Sequence, residues 1–406
     1  MELNRMKSRF LVAAVALMAT LSVASAQTVD RVRIGVLTDM SGPFADQVGQ
    51  GSVTAANLAA EDFAKEGGGP KVEILFADHQ NRPDVGVSIA RRWLDQEDVS
   101  AIVDLPNSGV AIAVANLMKE RNRTALASSA MSSSLTGKLC APTTVQWVSD
   151  TWAQGSATAH ALAALGKKQW YFLTVDYALG QALEGDATKA LVAAGGKVLG
   201  STRLPLNTAD FSSALLTAQG SGADVLALAN TGADVINAIK QAGEFGLTSK
   251  MTVAALFIQL SDVNSLGLAA AQGLQLATGF YWDKDEQTRA FARRFGERMG
   301  GRMPTEDQAG VYSATLAYLN AVKKAGSVEG SKVVQTMRSA PIDDALFGAV
   351  TIRADGRAVH DIYLYQVKAP SESHAPYDDY KLLATIPGDQ AFRPATDGGC
   401  PLSAAK

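Results

Sequence analysis

The chain has 406 residues, 47% hydrophobic and 19% charged, with a formal net charge of −3. That is ordinary globular composition in a length too great for one simple core, so two domains are expected. A slightly acidic chain without a basic stripe excludes a nucleic-acid binder.

The first 26 residues stand apart from the rest. Arg5, Lys7 and Arg9 make a positive start, 10–24 is apolar, and Ala24-Ser25-Ala26 offers small residues at both positions a signal peptidase reads. A secretory signal peptide cleaved after Ala26 is expected. The apolar run of about 15 residues is short of the roughly 20 needed to span a bilayer. No Cys lies near the cleavage point, so no lipid anchor is expected. The mature protein should be exported and soluble.

Beyond this leader, apolar strands alternate with amphipathic or Ala-rich helices. "VRIGVLT" (32–38) precedes a helix over 45–65, "KVEILFA" (71–77) one over 83–96, and "SAIVDL" (100–105) one over 110–121. "TALAS" (124–128) ends in a Ser-rich loop. Near Asp150 the pattern restarts. A helix over 151–165 leads into "QWYFLTV" (169–175), and then come a helix over 179–193 and "KVLGSTR" (197–203). "DVLALA" (224–229), a helix over 233–245, "MTVAAL" (251–256) and "GLQLATGFY" (273–281) follow. Helices over 286–299 and 305–325 come next, and 347–368 reads as an antiparallel hairpin turning at Ala354-Asp355-Gly356. Strands of nearly continuous Val, Ile, Leu and Ala are buried on both faces, which means parallel sheets covered by helices. Two successive sets mean an α/β protein of two doubly wound lobes.

In such sheets ligands bind beyond the carboxyl ends of the strands. Small hydroxyl and amide side chains collect there: Asn107 and Ser108 after the third strand, Ser128 and Ser129 beside Ala130 and Met131 after the fourth, and Asn230 in the second set. They donate hydrogen bonds without strong charge and precede helical or turn segments, so they suit a carboxylate; each is equally a candidate N-cap. Aromatic side chains gather at the same ends: Phe44, Tyr177, Phe257, Tyr281 and Trp282. They suit a flat or apolar ligand body or, read more simply, plug the core.

No enzyme signature accompanies them. There is no phosphate loop, no Gly-x-Ser-x-Gly elbow and no Cys-x-x-Cys, and the four histidines show no metal spacing. No cofactor or metal is expected. Cys140 and Cys400 are an even pair in an exported chain, and a disulfide tying the tail to the first half is expected.

The segment "RIGVLTDMSGPFADQVGQGSVTAANLAAEDF" resembles the opening of the periplasmic branched-chain amino acid binding proteins, the type I solute receptors of ABC transporters. "LPNSGVAIAVANLMKE", "ASSAMSSSLTG", "DYALGQALEGD", "LNTADFSSALLTAQGSGADVLALANTGADVINAIKQAGEFGL" and "GAVTIRADGRAVHDIYLYQV" are similar to later family segments in the same order, over roughly 30–395. The resemblance implies two lobes joined by a three-strand hinge: 30–148 with 282–360, and 149–281 with 361–395, leaving 396–406 as a tail. It implies carboxylate donors from Asn107-Ser108 and from Ser128, Ser129, Ala130 and Met131. Tyr177, Asn230 and Phe257 would close over the ligand, and Trp282 would line the cleft near the hinge. It also implies a monomer in the periplasm that delivers a small molecule to an inner-membrane permease.

This chain departs from the pattern at the loop after "MTVAAL". The amino-acid binders carry a Glu there for the ligand's ammonium, and this loop reads Leu256-Phe257-Ile258-Gln259. Met131 stands where the family has a Thr, and Leu179 or its neighbour where it has a Tyr. The departures resemble a subgroup that takes aromatic and other organic acids, so an organic acid without an ammonium is expected, with branched-chain or other amino acids as the alternative. A periplasmic sensor and an exported α/β enzyme are the further alternatives.

Overall fold

A computed structural model describes residues 29–403. The expected signal peptide at 1–26 lies outside the described residues. Among these, no helix is long and apolar enough to cross a membrane.

The first set runs β1 (Arg31–Thr38), α1 (Gly49–Glu66), β2 (Lys71–Asp78), α2 (Pro83–Gln96), β3 (Ala101–Asp104), α3 (Ser108–Glu120), β4 (Thr124–Ala127) and β5 (Thr144–Gln146). Its strands form one parallel sheet in the order β2-β1-β3-β4-β5. The second set runs α4 (Thr151–Ala164), β6 (Gln169–Val175), α5 (Ala178–Ala193), β7 (Lys197–Leu204), α6 (Ser212–Gly220), β8 (Val225–Ala229), α7 (Gly232–Glu244) and β9 (Thr252–Ala255). Its sheet is parallel in the order β7-β6-β8-β9. The central strands β3, β4 and β8 are buried throughout, as helix cover on both faces requires. These are the two expected α/β lobes.

The chain then interleaves the lobes. After α8 (Leu260–Leu266) and α9 (Leu268–Ala271), β10 (Gln275–Thr278) ends the second set, and α10 (Glu286–Arg298), α11 (Glu306–Ala325) and α12 (Gly330–Met337) return to the first. Alanines make that return tight. Ala55, Ala56 and Ala59 of α1 and Ala314, Ala317 and Ala321 of α11 share the first lobe's core with Ile34, Val103 and Phe295. Next come β11 (Ile342–Asp344), β12 (Gly348–Ile352) and β13 (Ala358–Val359), then β14 (Ile362–Val367), β15 (Tyr380–Ile386) and α13 (Gly388–Ala391).

Two expectations change in detail. The first helix starts at Gly49, not near residue 45. Asp39 accepts from the Gly42 N–H at 2.7 Å, the Phe44 N–H at 2.9 Å and Asn81 Nδ2 at 2.6 Å, which holds 39–48 as a turn. The hairpin over 347–368 is really two pairings. Strand β12 pairs with β13 around the expected turn, but β14 leaves to pair antiparallel with β10 and β15. The alternation of 347–368 persists across that break, so the pattern alone could not show it. Strands β5, β11 and β15 and helices α6, α8, α9, α12 and α13 had no expectation; most are too short for a clear period.

Three connecting segments, 147–151 between β5 and α4, 278–283 between β10 and α10, and 360–362 between β13 and β14, are the expected crossings, and buried polar groups knit them together. Glu306 accepts from the Ser149 N–H and hydroxyl, both at 3.0 Å, and from Thr278 Oγ1 at 2.9 Å. His360 Nε2 lies 3.0 Å from the Trp147 carbonyl. Gly279 is needed here, because a Cβ would stand 2.5 Å from His360 Cε1 and 3.0 Å from Glu306 Oε1. Arg357 is fully buried beside these crossings. It donates to the Gln146, Val148 and Ala358 carbonyls and pairs with Asp150. The tail makes a further connection. After β15 the chain returns over the crossings, Phe392 packs 4.5 Å from the Arg357 guanidinium, and Cys400 is bonded to Cys140, as expected.

Candidate functional site

The carboxyl ends of both parallel sheets face one cleft. From the first lobe it is lined by Phe44 and Gln47 after β1, Pro106 after β3, Ser129 and Met131 after β4, and Asp307 at the start of α11. From the second lobe it is lined by Tyr177 and Leu179 at the start of α5, Thr231 before α7, and Phe257 after β9. Asp104 and Leu105 both hold positive φ, 83° and 64°, a costly backbone for residues other than Gly. That strained turn delivers Pro106 to the cleft and aims the Asp104 carboxylate beneath Ser129, whose hydroxyl donates to it.

The cleft is shut. Its free space is about 10 Å³, room for no more than a water. Closure has specific contacts. Gln47 Nε2 donates to Asp262 Oδ2 across the gap at 2.7 Å and lies 3.4 Å from Thr231 Oγ1. Gly232, at φ 57°, meets the other lobe so closely that a Cβ would stand 2.6 Å from the Pro43 carbonyl oxygen. Gly232→Val is therefore expected to hold the lobes apart, seen as a larger radius of gyration by small-angle X-ray scattering. An unchanged radius would mean that the contact yields without opening.

The electrostatics are one-sided. Among the described residues, no Arg, Lys or His lines the cleft. Burial pushes Asp104 up to about 6, and Asp104 Oδ2 has no hydrogen-bond partner. Asp262 also rises to about 6 by burial, although it accepts from the Gln259 N–H and Gln47. Burial, reinforced by the carboxylates of Glu306, Asp104 and Asp262, holds Asp307 well above the usual carboxylate range. The Tyr177 hydroxyl is buried without a partner, and burial raises its phenol above the ordinary value.

Of the residues named from sequence, Phe44, Ser129, Met131, Tyr177 and Phe257 meet in this cleft. The others lie behind its walls or away from it. Asn107 is an N-cap, accepting from the Gly109 and Val110 N–H groups at 2.9 and 3.1 Å. Ser128 Oγ accepts from the Asp104 N–H at 3.1 Å. The Ala130 carbonyl accepts from Gln146 Nε2, and Asn230 Nδ2 donates to the Leu173 carbonyl. Ser108 is buried with its hydroxyl unpartnered. Trp282 packs against the cores of both lobes and donates to the Tyr377 carbonyl at 2.9 Å, outside the cleft lining. Gln47, Pro106, Leu179, Thr231 and Asp307 were not among the named site residues. Pro106 and Thr231 sit inside the loops read as polar strand ends. Asp307 gave no signal, because an acid in the first turn of a helix reads as a partner for the helix dipole.

A larger void of about 460 Å³ lies between α4, β9 and β10 and is lined by the second lobe alone. Its lining mixes apolar Leu162, Leu165, Ile239 and Leu274 with polar Thr158, Lys167, Thr252 and Gln275.

A family model described as periplasmic binding protein matches residues 31–374. A crystal structure of a periplasmic binding protein from Burkholderia mallei is 43% identical, with a TM-score of 0.89 over 92% of this chain and 99% of that one. A branched chain amino acid ABC transporter periplasmic ligand-binding protein from Burkholderia xenovorans LB400 is 41% identical, with a TM-score of 0.81 over 92% and 100%. A Rhodopseudomonas palustris solute binding protein in complex with benzoate shares the fold at 19% identity, with a TM-score of 0.78 over 88% and 97%.

Proposed function

The chain belongs to the periplasmic binding protein family, as an ABC transporter solute-binding component, and from that premise we propose that it captures a small organic acid with a compact apolar body and hands it to an inner-membrane permease. The family is non-enzymatic and periplasmic. The observation that carries the reading is a single cleft whose lining alternates between lobes, with Phe44, Pro106 and Met131 on one side and Tyr177, Leu179 and Phe257 on the other. Such walls suit an apolar body. The Tyr177 and Thr231 hydroxyls suit an acid's oxygens as neutral donors. The lobes divide at 148/149, 281/282 and 360/361. A solute that touches both stabilises the closed state by its differential affinity, and the closed state docks on the permease.

Calorimetry against aromatic acids, aliphatic acids and amino acids tests the ligand class, together with mass spectrometry of whatever copurifies. Tyr177→Ala and Phe257→Ala should each weaken binding by about 10–100-fold, since a buried aromatic contributes about 1.5–3 kcal/mol. Affinity unchanged in both variants would remove the cleft from consideration.

The aromatic-acid reading draws on the acid-free loop at Phe257 and on the benzoate-bound relative of the same fold. A second reading, branched-chain or other amino acids, draws on a different observation: Asp307 brings a carboxylate to the cleft from the first lobe.

A further inference from the structure

We propose that Asp307 sets the specificity of the cleft by pairing with a protonated nitrogen on the solute, so that the organic acid captured here also carries an amine. The inference rests on the reading of the interlobe cleft as the solute site.

Asp307 comes from the first turn of α11 in the first lobe. The Glu that the amino-acid binders carry would instead follow β9 in the second lobe, where Phe257 stands. Asp307 is 2% exposed, lines the cleft, and its Oδ1 has no hydrogen-bond partner. The charged groups that weigh most on it are carboxylates: Glu306 on its own helix, Asp104 at the end of β3 and Asp262 on α8. The Gln259 side chain beside it favours its ionised form.

Its neighbours have structural work that Asp307 lacks. Glu306 is satisfied by Ser149 and Thr278 at the crossings. Asp262 is satisfied by Gln47 and the Gln259 N–H. Asp104 lies beneath the Ser129 hydroxyl rather than in the lining. Asp307 therefore combines a place in the wall with an open oxygen and no cation. A buried carboxylate in that state is costly, and one helix N-terminus offsets only part of the cost. A solute ammonium supplies both the missing charge and the missing donor. An acid without an amine would bring a further negative charge into an acidic cleft. The solute's own carboxyl is then best placed toward Tyr177 and Thr231, away from Asp307.

The test is calorimetry on stripped, refolded protein with matched probes: L-leucine with 4-methylpentanoate, and L-phenylalanine with 3-phenylpropanoate, with benzoate alongside. In the wild type each amine-bearing probe that binds should do so at least about 30-fold more tightly than its deaminated partner, and Asp307→Asn should erase that preference. The ligand-free Asp307→Asn protein should also melt at a higher temperature at neutral pH, because a carboxyl that the folded state disfavours ionising has been replaced by a neutral amide. A merely structural aspartate would give a lower one. The inference is overturned if deaminated acids or benzoate bind as well as the amines, if Asp307→Asn keeps the preference, or if neither amine binds. Tyr177→Ala separates the two readings. If it weakens binding that Asp307→Asn leaves intact, the cleft stands and only the role of Asp307 falls; if it changes nothing, the cleft reading falls as well.

Discussion

Arg357→Leu is expected to lower the free energy of unfolding by about 3–5 kcal/mol, the range for breaking a buried ion pair by removing one partner. Arg357 is 0% exposed and its partner Asp150 is 2% exposed, at 3.3 Å. The substitution would leave the Asp150 charge uncompensated in the interior. It would also remove the donor from the Gln146, Val148 and Ala358 carbonyls, which belong to or adjoin the first and third crossings. Asp150 cannot simply turn to water, because its Oδ1 caps α4 at the Ala153 N–H, 2.9 Å away. Chemical denaturation monitored by circular dichroism measures the loss. A companion Asp150→Asn should recover part of it by removing the orphaned charge while keeping an oxygen for the cap. A loss below about 1 kcal/mol would show that the crossings hold without the guanidinium.

The second large effect belongs to the Cys140–Cys400 bond, which closes a sequence separation of 260 residues. Replacing both by Ser is expected to cost about 2–4 kcal/mol. The damage should begin at the tail. Arg393 donates to the Ser133 carbonyl at 2.8 Å, and its own carbonyl accepts from Arg353 at 2.8 Å. Phe392 is buried against Arg357 and His360. Without the bond these contacts alone hold the segment. Limited proteolysis should then cut between 387 and 403 in the double variant and spare it in the oxidised wild type. Solute affinity should survive, since no tail residue lines the cleft. A double variant as protease-resistant as the wild type would mean that packing, not the covalent tie, secures the tail.

The lobes were legible in the sequence because doubly buried strands write themselves as unbroken apolar runs. "QWYFLTV" was read to its correct ends, and so was the helix over 83–96, which begins with a proline at its first turn. Edge and connecting pieces were less legible. Strand β5 has three residues, and its burial comes from packing that no local pattern records. Within the cleft, residues beside strand ends were found because topology alone places them there. Asn107 shows the limit of that argument: the residue type suits a ligand donor and an N-cap equally, and its side chain serves Gly109 and Val110. Asp307 shows the converse. It lies some 50 residues beyond the Phe257 loop, on a helix that reaches the cleft from the other lobe, and only burial sets it apart from an ordinary surface carboxylate.

Two consecutive residues of α11 face different tasks. Glu306 gathers Ser149 and Thr278 from two of the connecting segments, and Asp307 opens onto the cleft. With the cleft as the proposed seat, fulcrum and load would sit one peptide apart, and a contact made at Asp307 would bear on the pivot through a single helical turn.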